Sequence, residues 1–197
     1  VLAGDNSRGM IYGAYDLLER LGCRWCYPAQ DSSDIEVVPK ETTLALSAGG
    51  WSVASPMRFR ICNGSAWFFD LDLENARKQL DWGMKNRYNA IGWQGESTTS
   101  LVHQYQIIQN AGLFDEMDKR GMLFHGPGHS FDHFLRSEDY FDKHPEWFGL
   151  RHGKRVPQNA LGSQFCWSNA EARRQFVDNV IAFVRACPRL NILMIVS

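Results

Sequence analysis

Three histidines fall within nine residues of the stretch GMLFHGPGHSFDHF: His125, His129 and His133. Histidines at that density can bind a metal, move a proton or contact a hydroxyl-rich ligand, because an imidazole nitrogen donates or accepts. A spacing of four would align all three on one helix face and suit a metal. Gly126, Pro127 and Gly128 stand between the first two, however, and a proline between two glycines opposes a helix there. No HExxH occurs either. A metal is therefore not expected, and neither is a cofactor. A hydroxyl-rich ligand fits these residues better. His125 ends an apolar run and is expected to be buried and neutral, and His133 to be a loop residue.

Other residue types in the chain could serve the same chemistry. Trp93 offers a flat face for a sugar ring, with packing at the mouth of the sheet as the alternative. Glu96 is the carboxylate that directly follows the same strand. Hydrolysis of a glycoside uses two carboxyls flanking the bond, and Glu96 could be one of them or a solvated loop acid; Asp132 has the same standing. Arg60 alternates with Phe59 and Ile61 and could bind a carboxylate or hydroxyl, or pair within the wall of the fold. Cys23 and Cys26 form a lone CxxC. A zinc site would need a second ligand pair and a redox site a thioredoxin-like context, so ordinary thiols are expected. The count of five cysteines is odd, which argues against a complete disulfide framework.

The elements that must position these residues follow a pattern. SRGMIYGAYDLLERLG has apolar residues at helical spacing, with Ser7 as cap and Gly22 as stop. CRWCYP reads as a short strand and VVPKETTLAL as a strand pair. From Pro56 onward, strand and helix alternate. MRFRICNG is followed by a helix from Asp70 to Arg87, acidic early and basic late as the helix dipole favours. Tyr88 to Gln94 is the second strand, and a helical stretch then ends near Gly121. GMLFHG is the third strand. A long excursion over residues 130–163 carries charge and aromatics, with HG as a turn inside HPEWFGLRHGKR and with Trp147 and Phe148 packing it. A helix capped by Ser168 and Glu171 follows, its apolar face including Phe176, Val177, Val180, Ile181 and Val184. NILMIVS has the look of a strand buried on both faces. Such repeats indicate an α/β fold with a parallel sheet. Four units with long loops after the strands fit the first half of a (β/α)8 TIM-like barrel, strands one to four, over residues 51–197. Residues 1–50 read as the C-terminal part of a small α/β domain.

With a net charge of −1, nothing suggests nucleic acid or an acidic membrane as partner, and no apolar run is long enough to span a bilayer. Seven tryptophans and an aromatic content of 13% are compatible with a sugar cleft or with a core.

RGMIYGAYDLLERLGCRWCYP resembles the end of the small domain that precedes the barrel in family 20 hexosaminidases and family 67 α-glucuronidases. GHSFDHFLRSEDYFDKHPEWFGLRHGKR, followed by QFCWSNAEARRQF, resembles the domain-of-unknown-function family 4838, which is glycoside-hydrolase-like and mainly bacterial. The resemblance implies a protein acting on a complex carbohydrate, an oligosaccharide or polysaccharide; a carbohydrate-binding barrel without hydrolysis is the alternative. It also implies that the PGHS turn sets His129 beside the sugar; Ser130 of that turn, and Trp93, Glu96 and Arg60 by residue type and position, are the further substrate-binding candidates. Catalytic acids are expected after the fourth strand, beyond Ser197, so the chain reads as a fragment, inactive alone. A periplasmic or extracellular location is expected by the same likeness, although reduced cysteines pull the other way.

Overall fold

A computed structural model describes residues 1–27, 35–46, 49–63, 73–93, 100–128, 130–157 and 164–195. They form two compact units, Val1–Trp93 with Ile108–His125 and Gln94–Ile107 with Gly126–Ser197.

In the first unit, helix α1 (Ser7–Arg20) leads into strand β1 (Arg24–Tyr27), which pairs antiparallel with β2 (Ile35–Val37). The α1 cap is Asn6 rather than Ser7: its side-chain oxygen accepts from the Gly9 N–H at 2.9 Å. Gly22 ends the helix at φ 97°, and a Cβ there would lie 2.8 Å from the Pro39 ring, so glycine is required on two counts. The expected strand pair over VVPKETTLAL reduces to β2, because Pro39 has no N–H to continue a ladder.

Three parallel strands follow: β3 (Ile61–Asn63), β4 (Ala90–Gly92) and β5 (Leu123–Gly126). Their register sets Ile61 beside Ala90 and Ala90 beside Leu123. Helix α2 (Leu73–Lys85) leads from β3 towards β4, and α3 (Leu101–Asn110) with α4 (Leu113–Lys119) from β4 towards β5. The core is apolar: Ala76 and Leu80 of α2, Ala90 and Ile91 of β4, Leu113 and Met117 of α4, and Phe124 of β5 are all buried. Helix α1 and strands β1 and β2 pack directly on this layer. The Tyr12 hydroxyl donates to the Tyr88 carbonyl at 2.8 Å, the Trp82 indole donates to the Trp25 carbonyl at 3.1 Å, and Lys85 pairs with Glu36 at 2.5 Å.

In the second unit the stretch after β5 makes its own small core. A 3-10 turn (Phe131–Phe134), a short helix α5 (Ser137–Tyr140) and a second 3-10 turn (Pro145–Trp147) precede the hairpin β6 (Leu150–Arg151) and β7 (Lys154–Arg155). His152 and Gly153, at φ 48° and 78°, form the expected two-residue turn. Trp147 and Phe148 are buried, as packing residues should be.

Helix α6 (Ala170–Ala186) is capped by Asn169, whose side chain accepts from the N–H groups of Glu171 and Ala172. Ser168 is not the cap because its hydroxyl meets the Cys166 thiol at 3.0 Å. The inward face also differs from the expected one. Ala172, Phe176 and Phe183 are buried, whereas Val177, Ile181 and Val184 are exposed. Aromatic rings on the 131–134 turn meet Phe176 and Phe183, and that larger contact decides which stripe turns inward. The final strand, β8 (Ile192–Leu193), is two residues long, and Leu193 is exposed, so it is not the doubly buried strand its composition suggested. Its neighbour Met194 donates its N–H to the Gly126 carbonyl at 3.2 Å. No helix among the described residues is long and apolar enough to cross a membrane.

Candidate functional site

Trp93 follows β4, His125 lies in β5 and Ser130 just after it, and the structure gives them different roles. Trp93 is 1% exposed and stacks on Phe124 with ring centroids 5.9 Å apart, so it belongs to the core. Its backbone N–H donates to the His125 carbonyl at 2.8 Å. His125 is buried in β5, and burial pushes its imidazole below the usual value, which keeps it neutral at pH 7. Ser130 is also fully buried. Its hydroxyl lies 3.0 Å from the Pro127 carbonyl, 3.2 Å from that of Gly128 and 3.3 Å from that of Met194. It ties the turn to the end of β8 and does not face solvent.

Arg60 lies at the opposite end of the sheet, just before β3. Its Nε donates to the Arg87 carbonyl at 2.7 Å and its terminal nitrogen to the Met57 carbonyl at 2.9 Å, and its guanidinium lies over the Tyr12 ring. Those contacts hold the chain entering the sheet and are remote from the strand ends. Glu96 and His129 lie outside the described residues. Asp132 is exposed, the position of a solvated loop acid. Arg60, Trp93 and Ser130 thus each make their contacts within the protein itself.

Cys23 is buried and Cys26 exposed, as residues three apart around a strand should be, and all five cysteines are free thiols. Among the described residues no group of three His, Cys, Asp or Glu side chains could hold a metal.

Two features of the second unit present accessible chemistry instead. The first is Trp167, in the segment between the excursion and α6. Its indole is 52% exposed. The buried side rests on Phe165 at 4.6 Å, Phe131 at 5.3 Å and Phe176 at 5.7 Å between centroids, and Phe131 and Phe165 are themselves stacked at 5.1 Å. Its backbone is fixed as well, since Arg173 donates to the Trp167 carbonyl and the Cys166 N–H donates to the Trp147 carbonyl at 2.6 Å. No described residue accepts from its indole N–H. Trp51 is a contrast. It is 43% exposed, but Arg20 covers its ring at 4.2 Å and Asp16 accepts from its N–H at 2.6 Å. Trp167 is thus a rigid, wet aromatic face with one free donor, the form that binds an apolar ring face edged by hydroxyls.

The second feature is a cleft of about 510 Å³ between the start of α3, the 131–140 segment and α6. Phe134 and Phe183 form its floor, and His133, Arg136, Asp139, Tyr140 and Asn179 bring polar atoms to its walls. His133 is half-buried. Burial first, and the Arg136 charge second, push its imidazole below the usual value. Sequence alone marked neither Trp167 nor the cleft. QFCWSN hinted at Trp167 by setting a tryptophan in a loop at a helix start, but nothing local joins His133 to Asn179.

The family model described as a domain of unknown function (DUF4838) matches residues 31–197. No curated protein and no solved structure matches the chain.

Proposed function

The chain belongs to the DUF4838 family, and from that premise we propose that it is a glycoside-hydrolase-like protein acting on a complex carbohydrate, an oligosaccharide or polysaccharide. On this reading β3, β4, β5 and β8 are the first four strands of a (β/α)8 barrel, residues 1–50 end a small α/β domain before it, and the ligand lies at the C-terminal strand ends. The protein works outside the cytoplasm of a bacterium, in the periplasm or beyond. His129 is kept as a substrate-side histidine.

The observation that carries the reading is Trp167, half exposed on a bed of Phe131, Phe165 and Phe176. It follows the long connection after β5, whose described part carries two 3-10 turns, α5 and the β6–β7 hairpin. Connections between a strand and the next helix are usually about 2–6 residues, and long ones are often functional. A platform already held in place loses little freedom when a sugar ring settles on it, so more of the contact appears as affinity.

The alternative is carbohydrate binding without hydrolysis: a held aromatic face such as Trp167 takes a sugar ring without a carboxyl pair, whereas hydrolysis usually needs two carboxyls. One screen separates the readings. The protein is incubated with aryl glycosides and with plant and host glycans, and turnover and binding are both recorded, with Trp167→Ala and His129→Ala alongside. Turnover that is lost in the variants supports the hydrolase; binding without turnover supports the binder. No response to any glycan contradicts both.

A further inference from the structure

We propose that the cleft between α3, the 131–140 segment and α6 is a second binding site, one that takes a neutral polyhydroxylated ring of about monosaccharide size. It rests on the carbohydrate reading for its ligand class but not for its geometry, which does not involve Trp167.

Four properties of the lining point to that ligand. The first is size: about 510 Å³ lies within the range of small-molecule sites, roughly 300–1,000 Å³. The second is charge. Arg136 is the one cation of the lining and Asp139, 3.8 Å from it, the one carboxylate, so the two balance. A strongly charged ligand would have to break that balance, so a neutral one is favoured.

The third property is the supply of both donors and acceptors. The His133 imidazole faces the cleft, carries no charge at pH 7, and makes no side-chain hydrogen bond to a described residue. A neutral imidazole offers one donor and one acceptor. The Tyr140 hydroxyl accepts from the Asn179 amide at 3.1 Å, which leaves its own proton to donate. The other proton of that amide is fixed on the Phe134 carbonyl at 2.7 Å, so Asn179 and Tyr140 are held in place before any ligand arrives. Hydroxyl groups, which also both donate and accept, match such a wall better than a carboxylate or an amine does. The fourth is the floor. Phe134 and Phe183 meet edge to face at 5.5 Å and give the apolar side of a ring a dry surface.

Blocking the cleft tests the proposal. Ala182 and Ala186 line it from the exposed side of α6, so Ala182→Trp fills space without removing a hydrogen bond or opening a cavity. Binding of methyl glucoside, methyl galactoside, methyl mannoside and inositol is measured by chemical-shift perturbation, with glucuronate and glucosamine as charged counterparts. Far-UV circular dichroism and Tm confirm that each variant is folded, and Ala186→Phe replaces Ala182→Trp if the latter is not. The expected result is binding of at least one neutral probe, weakened about tenfold or more by filling the cleft, a loss of the order of one good contact. Trp51→Ala, in the first unit and outside the lining, is expected to leave that binding unchanged. The proposal is overturned if no neutral probe binds, if filling the cleft changes nothing, or if a charged counterpart binds more tightly than its neutral partner. Loss of longer-glycan binding in Trp167→Ala alone, with the cleft variant unaffected, would leave the platform standing and remove the cleft.

Discussion

Replacing Phe176 with alanine tests the core beneath the candidate platform. Phe176 is 6% exposed on α6 and its ring lies within 6 Å of four others: Phe131 at 5.0 Å, Phe165 at 5.1 Å, Trp167 at 5.7 Å and Phe134 at 5.8 Å. Truncation removes nearly a whole buried ring and leaves a cavity that four aromatic side chains cannot easily fill. The expected cost is about 3–5 kcal/mol. Val177, the next residue, is 51% exposed, and Val177→Ala should cost no more than about 0.5 kcal/mol. Urea unfolding followed by far-UV circular dichroism gives both values, and tryptophan emission reports whether Trp167 becomes more solvated in Phe176→Ala. Similar losses for the two variants, or a larger loss for Val177→Ala, would refute this assignment of the buried face of α6.

Three further outcomes are expected. Asn89 is buried, with its side-chain oxygen accepting from the Arg60 N–H at 2.7 Å and its amide donating to the Arg58 carbonyl at 2.7 Å; Asn89→Ala should destabilise the first unit by about 1–3 kcal/mol in urea unfolding. Burial lowers the proton affinity of both His125 and His133 from the ordinary 6.5, so the unfolded chain takes up protons first as the pH falls. Their contribution to stability is therefore complete above about pH 6.5 and is lost as the pH drops through the lower folded values, a slope that His125→Gln should flatten in unfolding titrations. The Cys166 thiol is lowered chiefly by its hydrogen bond with Ser168, whereas burial pushes the Cys187 thiol up to about 12, so iodoacetamide followed by peptide mass mapping at neutral pH should label Cys166 well before Cys187.

Local signals in the sequence were reliable where one physical cause dominates. The apolar runs around Ile91 and Phe124, set between amphipathic segments, read correctly as parallel strands, because buried strands need apolar residues on both faces. HG in LRHGKR read correctly as a hairpin turn, because two left-handed residues need that chemistry. Caps were misplaced by one residue at both α1 and α6, where Ser7 and Ser168 stand beside asparagines that reach the helix N–H groups instead. The face of α6 was misjudged because the helix carries two apolar stripes, and only the distant Phe131 and Phe134 choose between them. The site suffered most from this limit. Trp93 and Ser130 stand where ligand-facing residues are expected, yet burial and backbone hydrogen bonds claim both. His133, Tyr140 and Asn179 meet only through the fold, a proximity that no spacing in the sequence records.

Glycan affinity compared across two tryptophans tests the central claim most directly. Using the tightest ligand from the glycan screen, isothermal titration calorimetry would measure the unaltered protein, Trp167→Ala and Trp51→Ala. Trp167→Ala should lose about 2 kcal/mol of binding, near thirtyfold, as expected for a buried aromatic contact. Trp51→Ala should bind as the unaltered protein does, since Arg20 and Asp16 already occupy that indole. Equal affinity in all three proteins, or a loss confined to Trp51→Ala, would contradict the carbohydrate platform.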